Sequence, residues 1–560
     1  MRLIHAASLE FHEFEESSSS IPPYAILSHT WGDDEVTFHD MLSGPTQSTT
    51  KNKKRYDKIK QTCRLAREDK LEYVWIDTCC IDKSSSAELS ESINSMFEWY
   101  ANSAVCYVFL FDYIHGELGF KSCSWWTRGW TLQELLAPKN LVFYDAMWAH
   151  AGTKMSRVNQ IHEITQIQVS VLLNKLYIFD CPVSQRMSWA ASRQTTRIED
   201  EAYCLFGIFG IHLPLIYGEG RMAFRRLQEE IIKRNADLSI FFWHTPIRDN
   251  DRKEYLSLLA ESPSNFHNAM FSTPDASQFP EFFITNKGVL FSDVETWVEM
   301  TVHDEKREPY NLYGIALGGA NLYDIQMAIP LRKVSPGLFY RTGRVLTQSS
   351  SNRIHWDRLI KRYPTRFYII TDPTPILQDS VYFFRRNKIH VPHNAHFQLS
   401  EVAPRHLWDA TDRVFLYAPK FIQTPISILV TAFNAVFRTF NISLVVLVQA
   451  GALYSPNWLK VFQRNRYPNR VNKILRMNPE KILTPEDLME LIPDIELLHD
   501  YVDIELPRNE GLRIRVSLEP ANTKIGSEVI DVSDVTFHMT SDQGREESHI
   551  GSPPTLTSSL

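Results

Sequence analysis

Apolar positions in the first 145 residues alternate between two periods. Tyr24-Ala25-Ile26-Leu27-Ser28-His29 follows the stop Pro22-Pro23 and reads as a short buried strand. Tyr56, Ile59, Cys63 and Ala66 then recur at i, i+3, i+7 and i+10, one face of a helix. Tyr73-Val74-Trp75-Ile76-Asp77 predicts a second strand. Ser85 and Glu88 can form a capping box ahead of Leu89, Ile93, Met96, Phe97 and Tyr100, again one helical face. Val105-Cys106-Tyr107-Val108-Phe109-Leu110 is near-continuously apolar, as central parallel strands are. Thr131 to Ala137 predicts a helix closed by Pro138, and Leu141-Val142-Phe143-Tyr144 a fourth strand. This alternation predicts an α/β fold with a parallel sheet of at least four strands, covered on both faces. Ligands of such sheets bind beyond the carboxyl ends of the strands. That rule singles out Ser28, His29, Asp77 and Asp112, each at or just past a strand end.

Residues 153 to 245 read as mainly helical. Ile198, Ala202, Leu205, Phe206 and Phe209 share a helical face, Gly218 and Gly220 mark a turn, and Phe224, Leu227 and Ile231 begin another helix. From about residue 246 the apolar runs shorten and are broken by Pro, Gly, Asn and Ser, as in Phe282-Phe283-Ile284 and Val289-Leu290-Phe291. The expected organisation is an α/β core over 1–152, a helical extension over 153–245, a β-rich domain over 246–540 and a disordered tail over 541–560. No repeat of 20 to 50 residues is present. One stretch, 421–459, is free of charge except for Arg438. Gln423, Pro425, Asn434, Asn441, Ser443 and Gln449 interrupt it, and its Val, Ile, Phe and Thr favour buried strands or a core helix over a membrane span.

Composition narrows the class. With 560 residues the chain has room for two large domains or three to four ordinary ones. Its 13 Trp, 22 Tyr and 32 Phe exclude a mostly disordered chain, a collagen and a small disulfide scaffold. A net charge of −7 argues against a dedicated nucleic-acid binder, and the basic run from Lys51 to Lys60 reads as the solvated start of a helix. Seven cysteines with no CxxC spacing fit a reduced compartment. Glu10, Glu13, Glu15 and Glu16 leave no apolar signal-peptide core, so a cytoplasmic location is expected.

Candidate chemistry is sparse. There is no GxxxxGK[ST], HExxH or GxSxG, which removes P-loop, zincin and α/β-hydrolase readings. Gly218-Glu219-Gly220 lacks the strand and third glycine of a dinucleotide fingerprint and reads as a turn. Cys79, with His29 as base and Asp77 as orienter, could form a nucleophile set, since a thiolate needs both. The adjacent Cys79 and Cys80 equally suit a tight, buried strand end. Zinc ligation lacks four ligands at usual spacing. Trp130 and Glu134 stand at i and i+4, on one helix face. An aromatic beside a carboxylate can stack a flat ring and hold a ribose. The spacing alone fits a surface glutamate beside a core tryptophan better.

Three longer strings carry a resemblance. Tyr-Ala-Ile-Leu-Ser-His-Thr-Trp-Gly (24–32), Val-Trp-Ile-Asp-Thr-Cys-Cys-Ile-Asp-Lys (74–83) and Arg-Gly-Trp-Thr-Leu-Gln-Glu-Leu-Leu-Ala-Pro (128–138) resemble the signature blocks of the fungal heterokaryon incompatibility (HET) domain. The likeness continues through Met187-Ser188-Trp189-Ala190, Glu199-Asp200, Ala202-Tyr203-Cys204-Leu205 and Pro214 to Gly220, and covers about residues 20 to 245. It implies a role in non-self recognition and programmed cell death, through assembly and recruitment of partners. The HET core is similar in turn to TIR domains, which implies a TIR/flavodoxin-like sheet with a helical extension, ahead of the β-rich domain. Many TIR domains cleave NAD+ with a glutamate in a Trp-x-x-x-Glu pattern, matched here by Trp130 and Glu134. The site implied has Glu134, His29 and Asp77 as catalytic candidates and Ser28, Trp31, Cys79 and Trp130 as substrate contacts. It needs no metal and no bound cofactor, NAD+ entering only as a substrate. The implied partners are further copies of the chain or other incompatibility and death-signalling proteins, with no nucleic acid.

Overall fold

Every residue of the strand Tyr24–His29 is buried, and the N-terminal unit is built around it. The computed structural model describes residues 1–15, 21–43, 55–114, 119–244, 256–267 and 281–292, and beyond them chiefly strands between residues 297 and 541. The chain divides into two compact units, residues 1–251 with 259–284, and residues 252–258 with 285–560.

In the first unit the strands are β1 (Arg2–His5), β2 (Phe11–Glu13), β3 (Tyr24–His29), β4 (Tyr73–Trp75), β5 (Val105–Phe109), β6 (Leu141–Tyr144) and β7 (His150–Thr153). They lie in the order β2-β1-β4-β3-β5-β6-β7. The central four are parallel, as expected. Strands β1, β2 and β7 add antiparallel edges, so the sheet is mixed rather than parallel throughout. The difference lies in the connections. Parallel neighbours need a crossover, whereas β6 returns as β7 through a tight turn in which the Asp145 carboxylate accepts the backbone N–H groups of Met147 and Ala149, both at 2.9 Å. These edge strands are short and half exposed, and give little alternation to read.

The crossovers are helical: α1 (Phe38–Leu42), α2 (Tyr56–Glu68), α3 (Asp77–Cys80), α4 (Ser86–Asn102) and α5 (Thr131–Leu136). Tyr56, Ile59, Cys63 and Ala66 are all buried, as the period of α2 requires. The box at the start of α4 is only half made. Ser85 accepts from the Glu88 backbone N–H, but the Glu88 carboxylate turns to Arg2 and to the Asp82 N–H, each at 2.8 Å. A charged tertiary partner outbids the local cap. All six residues of α5 are buried.

Helices Val158–Thr165, Val169–Leu172, Val183–Ser188, Asp200–Tyr203, Phe206–Phe209 and Met222–Arg234 follow. The face expected from Ile198 to Phe209 is split between two short helices and Ile198 is exposed, while Ala202, Leu205, Phe206 and Phe209 are buried.

The second unit is β-rich. One sheet runs Ile354–Asp357, Trp297–Val302, Tyr310–Leu317, Met327–Ser335, Leu338–Arg341, Phe367–Ile369 and Gly288–Phe291. Another is centred on the long hairpin Leu512–Ile525 and Glu528–Ser541. The apolar stretch read as buried strands or a core helix forms the hairpin Ser427–Phe437 and Phe440–Ala450, with Leu444 to Val448 buried. Among the described residues no helix is long and apolar enough to cross a membrane. The expected tail lies outside the described residues from 542 onward.

Candidate functional site

Ser28 and His29 end the central strand, and their side chains leave it on opposite faces. On the first face, the Ser28 hydroxyl donates to a Glu134 carboxyl oxygen and accepts from Trp125 Nε1 at 2.8 Å. Tyr100 of α4 also hydrogen-bonds Glu134, while its hydroxyl reaches the Leu27 carbonyl at 3.1 Å. Glu134 is only 6% exposed. Burial pushes its carboxyl up to about 8, with the nearby Asp77 adding to the shift, against the hydrogen bonds from Ser28 and Tyr100 and the charge of Arg128. At neutral pH this group carries its proton.

Helix α5 is fixed at both ends. Arg193 donates to the Arg128 carbonyl at 2.9 Å and to Thr131 Oγ1 at 2.8 Å, and burial brings its pKa down to about 10. Lys154 Nζ caps the other end, donating to the carbonyls of Leu135 at 3.2 Å and Pro138 at 2.6 Å. Glu134 is thus held by rigid surroundings.

On the second face stands His29, with Nδ1 3.8 Å from Asp77 Oδ1. Asp77 begins α3 and accepts from Trp31 Nε1 at 2.6 Å. Lys83 Nζ lies 3.4 Å from the centre of the Trp31 ring. Burial, reinforced by Lys58, Lys83 and Arg55, holds His29 well below its ordinary pKa and so keeps it neutral. Burial raises Asp77, opposed by Lys83 and the Trp31 hydrogen bond. Lys58 is occupied by Glu35 at 2.5 Å and by the Thr30 carbonyl at 3.3 Å. Gly32 lets Arg55 approach, since a Cβ there would fall 2.4 Å from Arg55 Nη2.

The sequence candidates therefore form two clusters on opposite faces of β3, Ser28 with Glu134 and His29 with Asp77 and Trp31. Two others stand apart. Trp130 turns its indole N–H to Asp200 at 3.4 Å, so its polar end belongs to the helical extension. Cys79 is fully buried, with Sγ 3.8 Å from the Ile76 carbonyl. Contact with Cys80 and burial push its thiol well above the ordinary value. Neither His29 nitrogen has a hydrogen-bond partner among the described residues, so the Cys79–His29 couple that a thiolate mechanism requires is not made. Asp112, the other strand-end carboxylate, accepts the Ser124 N–H at 2.7 Å.

Sequence reasoning missed Trp125, Tyr100, Lys58 and Lys83. Lys83 ends the second signature string and Trp125 belongs to the Trp125-Trp126 pair, but no spacing rule brings either to a strand end. Other signature residues are scaffold. The Glu199 carboxylate accepts the N–H groups of Gly218 and Gly220, at 2.8 and 3.1 Å, and both glycines have positive φ. Among the described residues no group of three or more His, Cys, Asp or Glu could hold a metal ion.

Comparison with known proteins places these features. Residues 24–119 match the family model of the heterokaryon incompatibility protein (HET), and residues 222–281 match a domain of unknown function (DUF8212). Over 250 residues the chain is 45% identical to the vegetative incompatibility protein HET-E-1 of Podospora anserina, covering 42% of this chain and 18% of that protein. The chain thus spans under a fifth of that relative's length. No solved structure matches. The segment similar to the HET family model lies within the first unit. Ser28, His29, Trp31, Asp77 and Cys79 lie inside the matched segment, and Trp130 and Glu134 beyond it.

Proposed function

We propose that this chain is a heterokaryon incompatibility protein whose N-terminal unit signals cell death after contact with non-self, by assembling and recruiting partners in the cytoplasm. The observation that carries this reading is the 45% identity over 250 residues to a vegetative incompatibility protein. The state of Glu134 supports the non-enzymatic form. A buried, protonated and hydrogen-bonded carboxyl is built as part of the core, and it presents no charge to a substrate at neutral pH. Inducible expression of the full chain in a filamentous fungus tests the proposal. Growth arrest and vacuolated, dye-permeable cells are expected, whereas normal growth at high expression counts against it.

A second reading rests on one specific observation. Strands β4, β3, β5 and β6 are parallel neighbours in that order, the arrangement of doubly wound sheets that bind ligands where the chain changes direction. Glu134 packs against the end of β3 at that point. In a TIR-like NAD+ glycohydrolase the ionised carboxylate would stabilise the cation forming on the ribose as nicotinamide leaves. With a pKa of about 8, the active form accumulates as pH rises through that value. Nicotinamide release from NAD+ should then be greater at pH 9 than at pH 6, and Glu134→Gln should reduce it by about 10²–10³. Killing retained by a stably folded Glu134→Gln variant decides for assembly.

A further inference from the structure

The segment ahead of the helix Asp200–Tyr203 runs as a strap beside the entry to α5. Gln194 holds it there, its N–H donating to the Thr127 carbonyl at 2.6 Å and its carbonyl accepting the Gly129 N–H at 2.8 Å. Thr195 is tied in: its hydroxyl donates to the Arg197 carbonyl at 2.6 Å, and a Cβ on Gly129 would fall 2.5 Å from its methyl group. Thr196, next in the chain, is exposed. Its Oγ1 accepts from Arg128 Nη1 at 3.4 Å, near the outer limit of a hydrogen bond. Among the described residues the Arg128 guanidinium makes no other hydrogen bond and no ion pair.

A guanidinium carries its N–H donors in a planar fork that matches a phosphate, and Arg128 turns one of them to a neutral hydroxyl. Its backbone is anchored, since its carbonyl accepts from Arg193 at 2.9 Å. The carboxylates that follow in the sequence have other donors. Glu199 accepts the N–H groups of Gly218 and Gly220, and Asp200 accepts the Tyr217 hydroxyl at 3.0 Å. Other exposed hydroxyls stand in the opposite field. Ser84 donates to Asp82 and Thr37 to Asp40, each at 2.6 Å, where a phosphate would meet a like charge. Arg197, exposed and adjacent, gives the segment a second basic residue for an enzyme to read.

We propose that Thr196 is a phosphorylation site whose phosphate is received by Arg128. A basophilic protein kinase supplies the step with ATP as donor. The bond from Thr196 Oγ1 to the γ-phosphorus forms as the bond from that phosphorus to the bridging oxygen breaks, ADP leaves, and the hydroxyl proton passes to the kinase base. The long neutral contact then becomes a charge-assisted, two-pronged one, which ties the strap to the entry of α5. It also offsets the Arg128 charge that favours ionised Glu134, so the modified chain holds that carboxyl more firmly neutral. Two measurements on the full chain test the proposal. Peptide mapping by mass spectrometry, after expression in a filamentous fungus, should find phosphate on Thr196 in growing or in starved mycelium. Phosphorus NMR titration of chain made with phosphothreonine at 196 reads the pairing directly. A free phosphothreonine titrates at about 6, and pairing with Arg128 should lower this by about half a unit in the folded chain relative to the chain in urea. Arg128→Gln should abolish the difference, and Arg128→Met carries the same expectation if that variant does not fold. The proposal is overturned by phosphate absent from Thr196 in both conditions, by phosphate confined to Ser192 or Thr195, by equal titration in folded and unfolded chain, or by a shift that survives loss of Arg128. Neither measurement reads killing, so failure leaves the incompatibility reading intact.

Discussion

At the scale of single residues, Glu134 makes the pH dependence of stability calculable in sign. Its carboxyl titrates near 8 in the folded chain against 4.5 ordinarily. Below about pH 4.5 both folded and unfolded chains hold the proton. Between these values only the folded chain does, so stability falls as pH rises and the loss is complete above about 8. The whole shift corresponds to an upper bound of several kcal/mol, on the order of 1.4 per pH unit. Glu134→Gln still accepts from Ser28 and cannot ionise. Between pH 6 and pH 9 the wild-type chain should lose at least about 1 kcal/mol more than the variant in urea denaturation. Lys154, pushed down to about 8 by burial, acts with the opposite sign in both proteins and cancels. Equal losses would mean that Glu134 is already charged in the fold. None of this was legible in the chain. Trp130 and Glu134 at i and i+4 predict a shared face, but whether that face meets solvent or core depends on Ser28 and Tyr100, which are remote in sequence.

Single elements were far more legible. Strand β3 spans the residues its apolar run predicts, and β4, β5, β6, α2 and α5 agree to within two residues at each end. A run buried on both sides, or a helical face facing a core, is encoded locally and survives tertiary context. The antiparallel edges were not legible, because three or four half-exposed residues carry too little pattern. Packing between elements is where change is costly. Gly207, in the short helix Phe206–Phe209, faces α4 so closely that a Cβ would stand 2.1 Å from Phe97 Cβ. Gly207→Ala should therefore cost about 1–3 kcal/mol, seen as a lower denaturation midpoint. Phe97→Gly removes that Cβ, so the two changes together should cost less than the sum of each alone, and strict additivity would show that the contact does not govern this packing.

For the whole molecule, division into two units with separate cores predicts partial independence. A fragment of residues 1–284 should keep a single cooperative unfolding transition by circular dichroism, and a gradual melt would mean that its core is incomplete. The boundary is nonetheless not a simple cut. Segment 252–258 belongs to the second unit, where the Leu256 N–H donates to the Arg341 carbonyl and Leu258 to that of Ile370, before the chain returns to the first unit at Leu259. This detour has a consequence for synthesis. On the ribosome the first unit is finished once residue 284 has emerged, while the strands that receive segment 252–258 have yet to be made. At about 5–20 residues per second, residues 341 and 370 follow several to roughly twenty seconds later. Throughout that interval the nascent chain carries a short loop in which the Leu256 and Leu258 N–H groups lack the carbonyls that receive them in the folded protein. Translation speed across residues 285–371 thus sets how long a chaperone, or a neighbouring nascent copy, can capture that loop before its own strands arrive.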